Sequence, residues 1–193
     1  MAIWQYLLIV VPEKSIQNDY QCIFKNNTTE YLPETEPLWK DFDGDTISII
    51  STMDSIIKRA DWGDETDICW KGDTKNEEDN DCSISLNEDK NQIIEFRFRI
   101  DLRKASNLTT TLQPILKLCE DNQLILMDLK GEIHKPKIED LMASIKTSNA
   151  TAFLTDPIPF LENLNNKKKT SFKTILIPIL ILMTFILIKM LGF

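Results

Sequence analysis

Glycine and histidine are scarce in this chain, and each scarcity removes a class of chemistry. Five glycines among 193 residues leave little room for a phosphate-cradling loop, whose backbone must approach its ligand where a Cβ would intrude. The single histidine, His134, sits in no GxSxG or Cys-His signature, so it lacks a convincing nucleophile to activate. Coming just after a turn, it reads as a surface residue. The four cysteines, Cys22, Cys69, Cys82 and Cys119, include no CxxC pair, and structural zinc sites are built on such close pairs. Neither a metal nor an organic cofactor is therefore expected. Cys22 and Cys119 read as small core residues, while Cys69 and Cys82 would pair only in an oxidising compartment.

Acid is what the chain has in excess. Its formal net charge is −8, from 22 Lys and Arg against 30 Asp and Glu. The last 27 residues hold Lys167, Lys168, Lys169, Lys173 and Lys189 and no acid, which leaves residues 1–166 at −13. Such a body repels nucleic-acid phosphates, so no nucleic acid is expected as a partner. The length suits one domain with a proper core.

The strongest single signal is TILIPILILMTFILI, residues 174–188, fifteen positions without a charge. Taken as 174–193, a helix of that segment would be about 30 Å long, the thickness of a bilayer core. It is apolar on every face, and Ile175, Ile179, Leu182, Phe185 and Ile188 would meet lipid, whereas a helix packed on a small domain keeps one polar side. Four lysines precede it and Lys189 follows, near enough to the end to reach far headgroups. The basic side stays in the cytoplasm. The expected organisation is a cytoplasmic domain over 1–163, a basic linker over 164–173 and a tail anchor over 174–193 in contact with membrane lipid. The apolar N-terminal run, Ile3 to Val11, has no basic residue before it and no cleavage site after it, and so reads as a strand rather than a secretory signal.

Within the body, that first run is continuous and rich in β-branched residues, the pattern of a strand buried on both faces and ended by Pro12. Ile49, Ile50, Met53, Ile56 and Ile57 recur at three and four, which predicts a helix over 48–59. Residues 61–90 hold eleven acids and three lysines and read largely as a solvated loop or insertion. SISL and IIEFRFRIDLR around NEDKNQ predict a hairpin, with Phe96, Phe98, Ile100 and Leu102 inward and Glu95, Arg97, Arg99, Asp101 and Arg103 outward. A helix over 105–122 bent or delayed by Pro114, a strand and turn at LILMDLKGEI, an amphipathic helix over 136–147 and a closing segment DPIPFLENL follow. Helices and strands alternate irregularly, which favours an α+β two-layer sandwich: a mostly antiparallel sheet with helices on one face, plus one C-terminal transmembrane helix.

Three stretches are candidates for function. DFDGDT, residues 41–46, resembles the nucleophile motif of the haloacid-dehalogenase phosphatases over six residues. The resemblance implies a metal-dependent phosphoryl enzyme using Asp41 and Asp43. The chain departs from that pattern, since no buried strand precedes Asp41 and threonine does not directly follow Gly44. As a calcium loop it lacks glycine at Thr46 and the acid at Thr52. We read it as a charged turn that caps the next helix through Asp45 or Thr46. Arg97, Arg99 and Arg103 lie along one strand and could meet a planar anion or an acidic segment, or simply pair with neighbouring acids. The acidic stretch, with Trp62, Asp64, Glu65, Asp67 and Trp70, suits a basic protein partner: charge speeds the encounter and a buried ring holds the complex. The leading expectation is a non-catalytic adaptor or toxin-neutralising protein at the membrane surface.

Overall fold

The computed structural model describes residues 2–16 and 34–163. The expected tail helix, its basic linker and Cys22 lie outside the described residues. Among those described, no helix is long and apolar enough to cross a membrane. The chain divides into two compact units, Met1–Leu154 and Thr155–Phe193. In the second, residues 157–163 are helical and expose Ile158 and Leu161.

The first unit is an α+β fold around a six-stranded sheet in which every pairing is antiparallel. Its strands are β1 (Gln5–Pro12), β2 (Asp67–Lys71), β3 (Asp81–Leu86), β4 (Ile93–Asp101), β5 (Leu124–Met127) and β6 (Ile133–His134), in the spatial order β2-β3-β4-β1-β5-β6. The helices are α1 (Glu36–Trp39), α2 (Thr46–Ile56), α3 (Gln113–Asp121), α4 (Ile138–Lys146) and α5 (Asn149–Thr155).

β1, apolar from Tyr6 onward, sits between β4 and β5, and all eight of its residues are buried. Because successive side chains alternate between faces, Tyr6, Leu8 and Val10 join the main core with Phe96, Phe98, Ile100 and residues of α2, α3 and α4. Ile9 and Val11 instead meet Leu38, Ile125 and Met127 in a smaller second cluster. The helices are thus not confined to one face as expected: α1 places Trp39 in the larger cluster and Leu38 in the smaller. A strand that is apolar on both faces needs cover on both.

Local chemistry explains the helix boundaries. Asp45 caps α2, its carboxylate accepting from the backbone N–H of Ile47 at 3.0 Å and of Ser48 at 3.1 Å, while Ile49 and Met53 turn inward. Replacing Asp45 with alanine is expected to lower stability by about 1 kcal/mol, read as a shift of the urea midpoint at unchanged slope. Pro114 lies in the first turn of α3, where its missing N–H is tolerated, after a π-helical turn at Leu108–Leu112.

The acidic stretch is only partly loop: beside the expected SISL strand it holds a further strand that the reading of 61–90 as loop or insertion did not foresee. It supplies β2 and β3, joined by a short 3-10 turn at Thr74–Asn76. Ile68, Trp70, Cys82, Ile84 and Leu86 alternate into the core; the charge of the intervening positions conceals that period when the segment is read by composition. In the β2–β3 ladder Cys69 faces Ser83 and Trp70 faces Cys82, so the two cysteines point to opposite sides of the sheet and both thiols are free. Burial drives the Cys82 and Cys119 thiols well above their ordinary range.

Candidate partner-binding edge

β2 is an edge strand, but its open side is covered by the chain leaving α2. Lys71 N–H donates to the Lys58 carbonyl and Ala60 N–H to the Cys69 carbonyl, both at 2.9 Å. An incoming strand cannot add where those groups are already paired. Beyond Ala60 the chain turns at Gly63, whose φ of 97° and close approach to the Asp67 carbonyl, 2.4 Å from where a Cβ would stand, exclude any side chain. Asp64 then locks the turn: one carboxylate oxygen accepts from the Thr66 N–H at 2.7 Å and from the Thr66 hydroxyl and the Asp67 N–H at 2.8 Å. The Thr66 hydroxyl, followed by those amides, holds the Asp64 carboxyl below its usual range. Glu65 pairs with Lys90, which lowers its carboxyl likewise.

On this built turn Trp62 is 56% exposed, and Asp61, Asp64, Glu65 and Asp67 around it are exposed as well. A large ring held in water among acids is the feature that sequence reasoning assigned to partner recognition. Trp70, paired with it in that expectation, is a correction: it is fully buried. Its indole N–H donates to Asp54 at 2.9 Å, and the Arg59 guanidinium lies 5.6 Å from its ring centroid. Asp54 in turn accepts from Arg59 at 2.6 Å, the contact that chiefly lowers its carboxyl. The period of β2 points Trp70 to the core face, so it cannot anchor a partner.

The three arginines of the β4 region are matched by acids from their own and neighbouring strands. Arg97 donates to the Ser83 hydroxyl at 3.0 Å and lies 3.2 Å from Glu95. Arg99 meets Asp81 at 2.6 Å. Arg103 clasps Asp101 at 2.6 Å and stacks 4.5 Å over the Trp4 ring. Asp101, expected on the outward face, is fully buried. Beside it Gln5 donates to Asp81 at 3.0 Å, and Lys71 pairs with both Asp79 and Asp81. For Asp79, burial acts to raise the carboxyl, but Lys71, Thr74 and Trp4 outweigh it and hold it low. This network of Asp79, Asp81, Asp101 and Asn80 was invisible to composition, because its partners come from β1, β2 and β4.

A cleft of about 510 Å³ opens beside Lys58, Lys71, Asp73, Glu78, Asn80 and Thr111. Its polar groups serve the fold: Glu78 pairs with Lys104 at 2.6 Å, and Asn80 donates to Thr111 at 3.2 Å. No histidine or cysteine lines it.

Asp41 and Asp43 lie exposed in the turn after α1. The phosphatase pattern requires the first aspartate at the exit of a strand, and here a helical turn precedes it. Phe42 packs edge-on against Trp39 at 5.1 Å, and Asp45 is engaged as the α2 cap. No family model, curated protein or solved structure matches the chain.

Proposed function

We propose that this is a non-catalytic, single-pass, tail-anchored membrane protein whose acidic domain faces the cytoplasm and binds a basic protein partner, in an adaptor or toxin-neutralising role. The observation that carries the reading is Trp62, 56% exposed on a turn whose backbone is held by Gly63 and Asp64 and whose neighbours are acids. A preorganised aromatic loses little entropy on docking, and the surrounding charge steers a cationic surface toward it. The contact surface narrows to Trp62, Asp64, Glu65 and Asp67, because Trp70 is internal and Arg97, Arg99 and Arg103 are paired. The membrane part rests on the uncharged run 174–188 and its flanking lysines. Nothing in the described residues favours the phosphoryl-transfer alternative at Asp41 and Asp43.

Two measurements test the two halves separately. Full-length protein should pellet with membranes and stay there through alkaline washing, while a chain ending at residue 173 should remain in the supernatant; equal partition of both would reject the anchor. Capture of a specific basic protein from native membranes should fall at least tenfold with Trp62→Ala or with Glu65→Lys at unchanged melting temperature. Capture indifferent to both changes would reject this surface.

A further inference from the structure

We propose that Asp128, Glu132 and His134 form a binding site for a divalent first-row transition ion, with zinc the best match to one imidazole and two carboxylates. The site lies at the tight turn that joins β5 to β6. Asp128 N–H donates to the Glu132 carbonyl at 3.1 Å, and Gly131 N–H to the Asp128 carbonyl at 3.0 Å. These bonds bring residues 128 and 132 together, and β6 then carries His134 back beside β5, opposite Leu126.

Each ligand is prepared differently. Asp128 is 3% exposed. One of its oxygens accepts from the backbone N–H of Lys130 at 2.8 Å and of Glu132 at 3.0 Å. The other accepts from the Ser144 hydroxyl at 2.6 Å, and Ser144 is itself held by the Tyr6 hydroxyl at 2.8 Å. That second oxygen keeps a lone pair, and it faces His134 Nε2 at 3.5 Å. Such an outer layer of hydroxyl and amide donors is what orients a carboxylate for a metal. The His134 side chain, expected at the surface, is only 10% exposed, and its buried Nε2 has no hydrogen-bond partner. A buried polar atom without a partner is uncommon and calls for an explanation. Glu132 is exposed, and ligand atoms from all three residues lie within 4.8 Å of one another.

The spacing suits the chemistry. Two ligands bound tetrahedrally at about 2.1 Å stand about 3.4 Å apart, close to the Nε2 to Oδ2 separation, and the exposed Glu132 side chain needs to close only a short gap. Two carboxylates and a neutral imidazole offset a dication, and the nitrogen donor favours a transition ion over magnesium or calcium, which prefer oxygen alone. A search for metal-ligating cysteine pairs passes over DLKGEIH, in which Glu132 and His134 are two residues apart, on one side of an extended chain, and the turn supplies Asp128. With six strands about 4.8 Å apart, the site lies at the opposite sheet edge from Trp62, so it stands independently of the function proposed above.

Calorimetric titration of the metal-stripped full chain with zinc chloride tests it. One zinc per chain is expected, with the dissociation constant weakened at least tenfold by Glu132→Gln and by His134→Gln, and with a metal-dependent rise in melting temperature that both variants lose. Glu132 is exposed, so its variant keeps the test valid if the His134 change perturbs folding. Cobalt substitution should give a spectrum without a thiolate charge-transfer band. No zinc uptake, undiminished uptake by Glu132→Gln, or a thiolate band would each overturn the assignment.

Discussion

Trp70→Ala is expected to destabilise the domain by about 3–5 kcal/mol, followed by far-ultraviolet circular dichroism during urea unfolding. The ring is fully buried within the main core cluster, so its removal leaves a cavity that the surrounding β3, β4 and α2 side chains can fill only in part. The indole N–H adds a smaller share: Trp70→Phe keeps most of the packing but frees Asp54 of its 2.9 Å bond, a loss of about 1 kcal/mol. Trp62→Ala should change stability by no more than about 0.5 kcal/mol, as surface replacements usually do. The two tryptophans, eight residues apart and alike in composition terms, thus separate into one that holds the fold and one that meets solvent. An Ala variant at position 70 that unfolds at the wild-type urea midpoint would refute that division.

Asp101→Ala carries the second large effect, a loss of about 3 kcal/mol. The carboxylate is fully buried and accepts from four donor groups: Asp79 N–H and Arg103 N–H at 3.0 Å, and in the Arg103 guanidinium Nε, shared between both oxygens at 3.0 and 3.1 Å, and a terminal nitrogen at 2.6 Å. Truncation strands the buried Asp79 N–H and loosens Arg103, which can still reach water because its side chain is 22% exposed. Asp101→Asn keeps one acceptor oxygen but turns an amide donor toward existing donors, so an intermediate loss is expected. A double-mutant cycle with Arg103→Ala should show clear coupling, since the two share bonds. Additive losses would mean that Asp101 acts through the backbone amides alone.

Several elements could be read directly from the residues. The apolar run Tyr6 to Val11 of β1, the alternation of Phe96, Phe98 and Ile100 in β4, and the Asp45 cap of α2 each depend on neighbours within a few positions, and each appears in the structure where the period or cap chemistry places it. β2 was harder to see: its two inward residues, Ile68 and Trp70, are too few to announce a strand amid eleven acids. Asp101 follows the outward series of β4 by period, yet it is buried because Asp79, Asn80 and Asn107 close over it.

Most strands and helices other than β2, the acidity of residues 1–166 and the apolar character of 174–188 were legible along the chain, because these follow from backbone period and from side-chain solvation summed over neighbours. Tertiary structure alone decided which acids are surface charge and which are internal partners. Asp79, Asp81 and Asp101 are satisfied by Gln5, Lys71, Arg99 and Arg103, residues brought from three other parts of the chain by the order β2-β3-β4-β1. His134 is likewise placed by the fold, which brings its Nε2 to 3.5 Å from Asp128 through the β5–β6 turn without a hydrogen bond. A charge's environment is set by what stands a few ångströms away in space, and strand pairing decides that.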